Sequence, residues 1–125
     1  MPGSATLTEI AELLRQAARL IRDAGYKPWA PAGSEPGCSL STALCAVTGC
    51  DPSGRHNPAC LALHTRLAGY LYLSGQTTAA GDYLPAVVAI WEEYDPPRGR
   101  PTGEDVIAIL EHAAAITGEL ALSRS

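Results

Sequence analysis

The chain has 125 residues, 46% of them hydrophobic and 18% charged, with a formal net charge of −4. That length suits one domain able to bury roughly two-thirds of its unfolded surface, and the balance excludes an intrinsically disordered chain. The acidic sign also excludes a duplex-binding surface: the one basic cluster, Arg15, Arg19 and Arg22, is interleaved with Glu9, Glu12 and Asp23, so no stripe is available to displace counterions from phosphates.

Five helical segments can be read in order. Thr6 followed by Glu9 has capping-box spacing, in which each side chain takes a free backbone N–H at a helix start. Leu7, Ile10, Leu14, Ala17, Ile21 and Ala24 then recur at steps of three and four, widened by Leu13 and Leu20, and Gly25 supplies the stop. Residues 26–37 hold three prolines and two glycines and cannot continue that helix. A short second helix fits about 39–48, with Ser39 or Ser41 as cap and Gly49 as stop. Asn57-Pro58 opens the third, Asn as cap and Pro at the first helical position, where its missing N–H costs nothing. Leu67, Leu71 and their neighbours carry its apolar face to about Leu73, and Gly75 ends it. The polar stretch 74–81 leads to Asp82 and a fourth helix with Leu84, Val87, Val88 and Trp91 on one face, broken by Asp95-Pro96-Pro97. Thr102 and Asp105 resemble a second capping box. Val106, Leu110, Ala113, Thr117 and Leu120 line the last helix, widened by Ile107 and Ala114.

With no Phe and one Met, these stripes must build a core of Leu, Ile, Val and Ala. No alternating strand pattern and no internal repeat is visible. The expected architecture is all-α: a compact single domain, residues 1–125, of about five short amphipathic helices in orthogonal or bundle-like packing, with flexible ends at 1–5 and 122–125. No run is read as approaching the roughly 20 apolar residues of a membrane span, and the N-terminus lacks the charged and apolar regions of a secretory signal. A cytoplasmic protein with reduced thiols and no membrane partner is the expectation.

All four cysteines and two of the three histidines fall between 38 and 64: Cys38, Cys45, Cys50, His56, Cys60 and His64. Cys60 and His64, four apart on a helix, can face one point as two ligands of a tetrahedral zinc, with Cys50 and His56 from the preceding turn as the other two. The spacing C-x6-C-x4-C-x9-C lacks a C-x2-C knuckle, however, and free cysteine packs readily as a small buried hydrophobe. Buried thiols are therefore the first reading, and no cofactor is favoured over it, zinc being the alternative.

Cys38 sits just before the second helix, where the N-terminal dipole favours thiolate, and is the candidate nucleophile if a histidine such as His64 serves as base. Glu92 and Glu93, beside Trp91, are the candidate acid/base carboxylates. Tyr26 and Trp29 flank the Pro-rich loop after the first helix and are the candidate partner-docking residues, although a Trp folding back over the core is the simpler expectation for Trp29.

Several short stretches carry a family resemblance. They are Gly25-Tyr26 closing the first helix, Cys38-Ser39-Leu40-Ser41-Thr42-Ala43-Leu44, Ile90-Trp91-Glu92-Glu93, and Gly99-Arg100-Pro101-Thr102 running into Glu104-Asp105-Val106-Ile107-Ala108-Ile109-Leu110. In these the chain resembles the uncharacterised actinobacterial and actinophage proteins grouped as domain-of-unknown-function family 6197. It departs from them in having Thr42 where relatives have Gly, and Glu92-Glu93 where they have Asn-Asp. The resemblance implies a helical actinobacterial protein inside the cell and implies no activity.

No assembled catalytic constellation and no phosphate-cradling Gly loop is present in the sequence. A non-enzymatic accessory or protein-binding domain, meeting a protein partner or a second copy of itself, is the leading expectation. The alternatives are a small enzyme using Cys38 or His64 with the carboxylates near Trp91, and a zinc-stabilised helical domain.

Overall fold

A computed structural model of the chain describes residues 6–26, 39–50, 57–74, 88, 91 and 102–123. Four complete helices lie within these residues: α1 (Leu7–Ala24), α2 (Leu40–Thr48), α3 (Pro58–Leu73) and α4 (Gly103–Ser123). Among the described residues there is no strand, and the helices pack together into an all-α fold. Of the expected helix between α3 and α4, Val88 and Trp91 are described; both are helical and fully buried.

The helix starts follow the capping chemistry in the sequence. At α1 the Thr6 N–H donates to Glu9 Oε1 at 3.3 Å and the Glu9 N–H to Thr6 Oγ1 at 3.1 Å. At α4 Thr102 and Asp105 make the same reciprocal pair, at 2.8 and 3.2 Å. Ser39 caps α2 by accepting from Thr42 N, and Asn57 caps α3 with Pro58 behind it. Gly25 closes α1 at φ 89°, a backbone angle that L side chains rarely adopt.

α1 is the central element. Its buried residues Ile10, Ala11, Leu14, Ala17, Ala18 and Ile21 face α4 most extensively, then α2 and α3. Each fully buried Leu or Ile contributes about 1.5–3 kcal/mol, so Leu14 and Ile21 are principal holding points of the fold. The expected stripe holds in its middle and frays at its ends: Leu7 is half-buried and Ala24 exposed. Tyr26 is half-buried, packed against the core and over the start of α4, where a Cβ on Gly103 would lie 2.9 Å from its own Cβ.

α4 corrects one expectation. It is 21 residues long and, by length and composition, apolar enough to cross a membrane. One third of that apolar stretch is buried inside the fold, with Val106, Leu110, Ala113 and Ala114 in the core. An exposed Arg22–Glu111 ion pair of 3.3 Å adds little to the α1–α4 seam.

α3 carries two apolar ridges. Leu63, Leu67 and Leu71 form one and Cys60, His64 and Ala68 the other, and all six are buried. The second ridge brings Cys60 to the α2–α3 corner.

Candidate metal centre at the corner of two helices

The corner is built by two backbone motifs facing each other. α2 ends at Gly49, left-handed at φ 72° and ψ 23°. The Gly49 N–H donates to the Ala46 carbonyl at 3.3 Å and the Cys50 N–H to the Cys45 carbonyl at 2.8 Å. This is the hydrogen-bond pair of a Schellman turn, which folds the second residue past the helix back over the last full turn and so sets Cys50 beside Cys45. Across from it, the Cys60 N–H donates to Asn57 Oδ1 at 2.8 Å at the start of α3. The same side chain donates from Nδ2 to the Thr48 carbonyl, also at 2.8 Å, tying the end of α2 to the start of α3.

Three thiols meet there. Cys45 and Cys60 are buried and Cys50 is half-buried, and the three Sγ atoms all lie within 4.8 Å of one another. Cys45 Sγ and Cys60 Sγ are 3.7 Å apart, far beyond the roughly 2.05 Å of a disulfide. Cys50 Sγ accepts the Asn57 N–H at 3.3 Å. The three cysteines are therefore close enough to hold one metal ion.

His64 sits next to this group in another role. Its Nδ1 is 2.9 Å from the Cys60 carbonyl and 3.6 Å from Cys60 Sγ. A carbonyl oxygen only accepts, so Nδ1 carries the proton and is a donor, not a metal ligand, in this arrangement.

Burial pushes the Cys45 thiol up from 9.0 to about 12, with the neighbouring Cys60 and Cys50 sulfurs adding to the rise. Burial raises Cys60 as well. Without a cation Cys45 and Cys60 are thus neutral thiols at neutral pH, and a divalent ion reverses that preference by stabilising thiolate directly.

Two predictions arise here. In the reduced, metal-free protein, Cys45 and Cys60 should alkylate with iodoacetamide far more slowly than free cysteine at pH 8. Stability should also fall with alkali: below the unfolded thiol's value both states keep the proton, but between about 9 and about 12 the unfolded chain ionises first. Urea midpoints at pH 7 and pH 10 test this, and Cys45→Ala should show a smaller alkaline loss. An equal loss in that variant contradicts the assignment. The second prediction concerns Asn57. Asn57→Ala removes a helix cap and the tie to Thr48, and should destabilise the fold by about 1–2 kcal/mol in urea titration.

The alternative reading of a zinc site named the quartet Cys50, His56, Cys60 and His64. Cys50 and Cys60 are brought together, while His64 stands one hydrogen bond aside. Cys45, which was not in that quartet, takes a place in the cluster. His56, Cys38, Trp29, Glu92 and Glu93 lie outside the described residues. Trp91 has none of its surface exposed and is a core residue. The signal for Cys45 lay in the spacing C-x3-G-C across Gly49, since a Schellman turn commonly brings those two positions into side-chain contact.

The chain matches no protein-family model, and neither a curated protein nor a solved structure is significantly similar to it.

Proposed function

We propose that the protein is a zinc-stabilised helical binding domain, with Cys45, Cys50 and Cys60 as three thiolate ligands of one structural ion. The observation that carries this reading is the sulfur geometry. A tetrahedral zinc with Zn–S bonds of about 2.3 Å sets its sulfurs about 3.8 Å apart, and Cys45 and Cys60 stand at 3.7 Å. Cys50 Sγ lies within 4.8 Å of both. Zinc suits a donor set of thiolates better than magnesium or calcium, which take oxygen ligands.

The role is structural rather than catalytic. The ligands come from the end of α2, the turn after it and the first turn of α3, so an ion there pins two helices whose shared seam is short. The three thiolates fill three of the four tetrahedral positions, and the buried surroundings at Cys45 and Cys60 restrict access to the fourth.

Metal analysis of protein purified without chelator tests the reading, together with the thiolate-to-metal charge-transfer band on adding cobalt(II) to the reduced, metal-free protein. About one equivalent of metal and a band lost in Cys45→Ala support it. Less than one-tenth of an equivalent and no band would falsify it.

A further inference from the structure

We propose that the groove between α3 and α4 binds an apolar carboxylate, a fatty-acid-like amphiphile whose acid group meets Arg66. The groove is open, with a volume of about 880 Å³. That lies within the roughly 300–1,000 Å³ of small-ligand clefts, which are mainly apolar with a few placed polar groups and are often found between helices. Its floor is buried, formed by Ile10, Ala113 and Thr117. Leu61, Leu73 and Ile116 stand along its walls with 45, 85 and 47% of their surface exposed.

The polar side chains on the lining are Thr65, Arg66, Tyr70, Ser74 and Thr117. Thr117 Oγ1 donates to the Ala113 carbonyl at 2.7 Å and Ser74 Oγ to the Leu71 carbonyl at 3.3 Å, so these hydroxyl protons are spent on their own helices. Arg66 is different. Among the described residues it is the one charged residue on the lining, and there it makes no hydrogen bond or ion pair; it is half-buried. A guanidinium beside an apolar trough is locally the complement of an apolar anion.

Gly69 adds a second, independent sign. It lies inside α3, where glycine is a poor helix residue, and it faces the groove with nothing within 4 Å of where a Cβ would stand. The backbone there is left bare for close approach by a ligand.

The test is calorimetric titration of the full, reduced chain with dodecanoate below its micelle concentration, with dodecyltrimethylammonium as the charge-reversed control. One equivalent of dodecanoate should bind, the cationic amphiphile should not, and Arg66→Gln should weaken dodecanoate about tenfold. Gly69→Leu fills the trough and should abolish binding, and if that variant fails to fold, Arg66→Gln alone carries the decision. Equal binding of both amphiphiles, or dodecanoate affinity unchanged in Arg66→Gln, overturns the proposal. So does the absence of binding, whether the chain sediments as a monomer or as a dimer lost in Leu61→Asp, the latter assigning the groove to a second copy.

Discussion

Adding zinc to the reduced, metal-free protein is expected to raise its melting temperature by roughly 10 °C. Free zinc at about a hundred times its dissociation constant stabilises the folded state by about 2.7 kcal/mol, and each kcal/mol moves the midpoint of a domain this size by about 4 °C. Cys45→Ala, Cys50→Ala and Cys60→Ala should each remove most of the zinc-dependent increment. The increment is the decisive readout, because the loss of a buried thiol in Cys45→Ala or Cys60→Ala lowers the metal-free midpoint for packing reasons alone. Differential scanning fluorimetry with and without zinc, in the presence of a non-thiol reductant, measures it. A midpoint that zinc leaves unmoved in the parent chain sinks the metal reading and leaves three packed thiols.

Much of the fold was legible because its helix ends are written in local chemistry. Thr6 with Glu9, Ser39, Asn57-Pro58 and Thr102 with Asp105 each satisfy backbone groups within three residues, and no tertiary contact is needed to read them. Burial was most directly legible where one face is apolar and the other charged, as in α1. In α3 and α4 the expected residues Leu67, Leu71, Val106, Leu110, Ala113 and Thr117 are also buried, but both helices carry further apolar residues, and periodicity does not say which of those the fold leaves exposed. Leu67 and Leu71 went inward while Leu61 and Leu73 stayed exposed, and Ile109 joined the core ahead of Leu120. The groove between α3 and α4 is a product of that choice, which helix packing makes and sequence spacing does not. The thiol cluster lay between these cases. A search for close cysteine pairs passes over Cys45, because its partner Cys50 is brought to it by the left-handed Gly49 and by no helical or knuckle spacing.

Trp91→Ala is expected to cost about 3–5 kcal/mol, a large part of the roughly 5–15 kcal/mol that holds a domain of this kind together. Among the described residues Trp91 is the largest fully buried side chain, and it packs in one cluster with Leu14, Leu67 and Leu110, so its removal leaves a void that those side chains cannot close. At about 4 °C per kcal/mol the melting midpoint should fall by roughly 12–20 °C. Trp91→Phe keeps a ring in place and should lose less than half as much. The same pair of variants separates core from site. If Trp91 acts only by packing, the folded Trp91→Phe protein should bind cobalt(II) at the cysteines and dodecanoate in the groove with parent affinity, since Trp91 lines neither. A loss below about 1 kcal/mol for Trp91→Ala would show instead that the segment carrying Val88 and Trp91 does not close the core, and that the helices α1, α3 and α4 hold together without it.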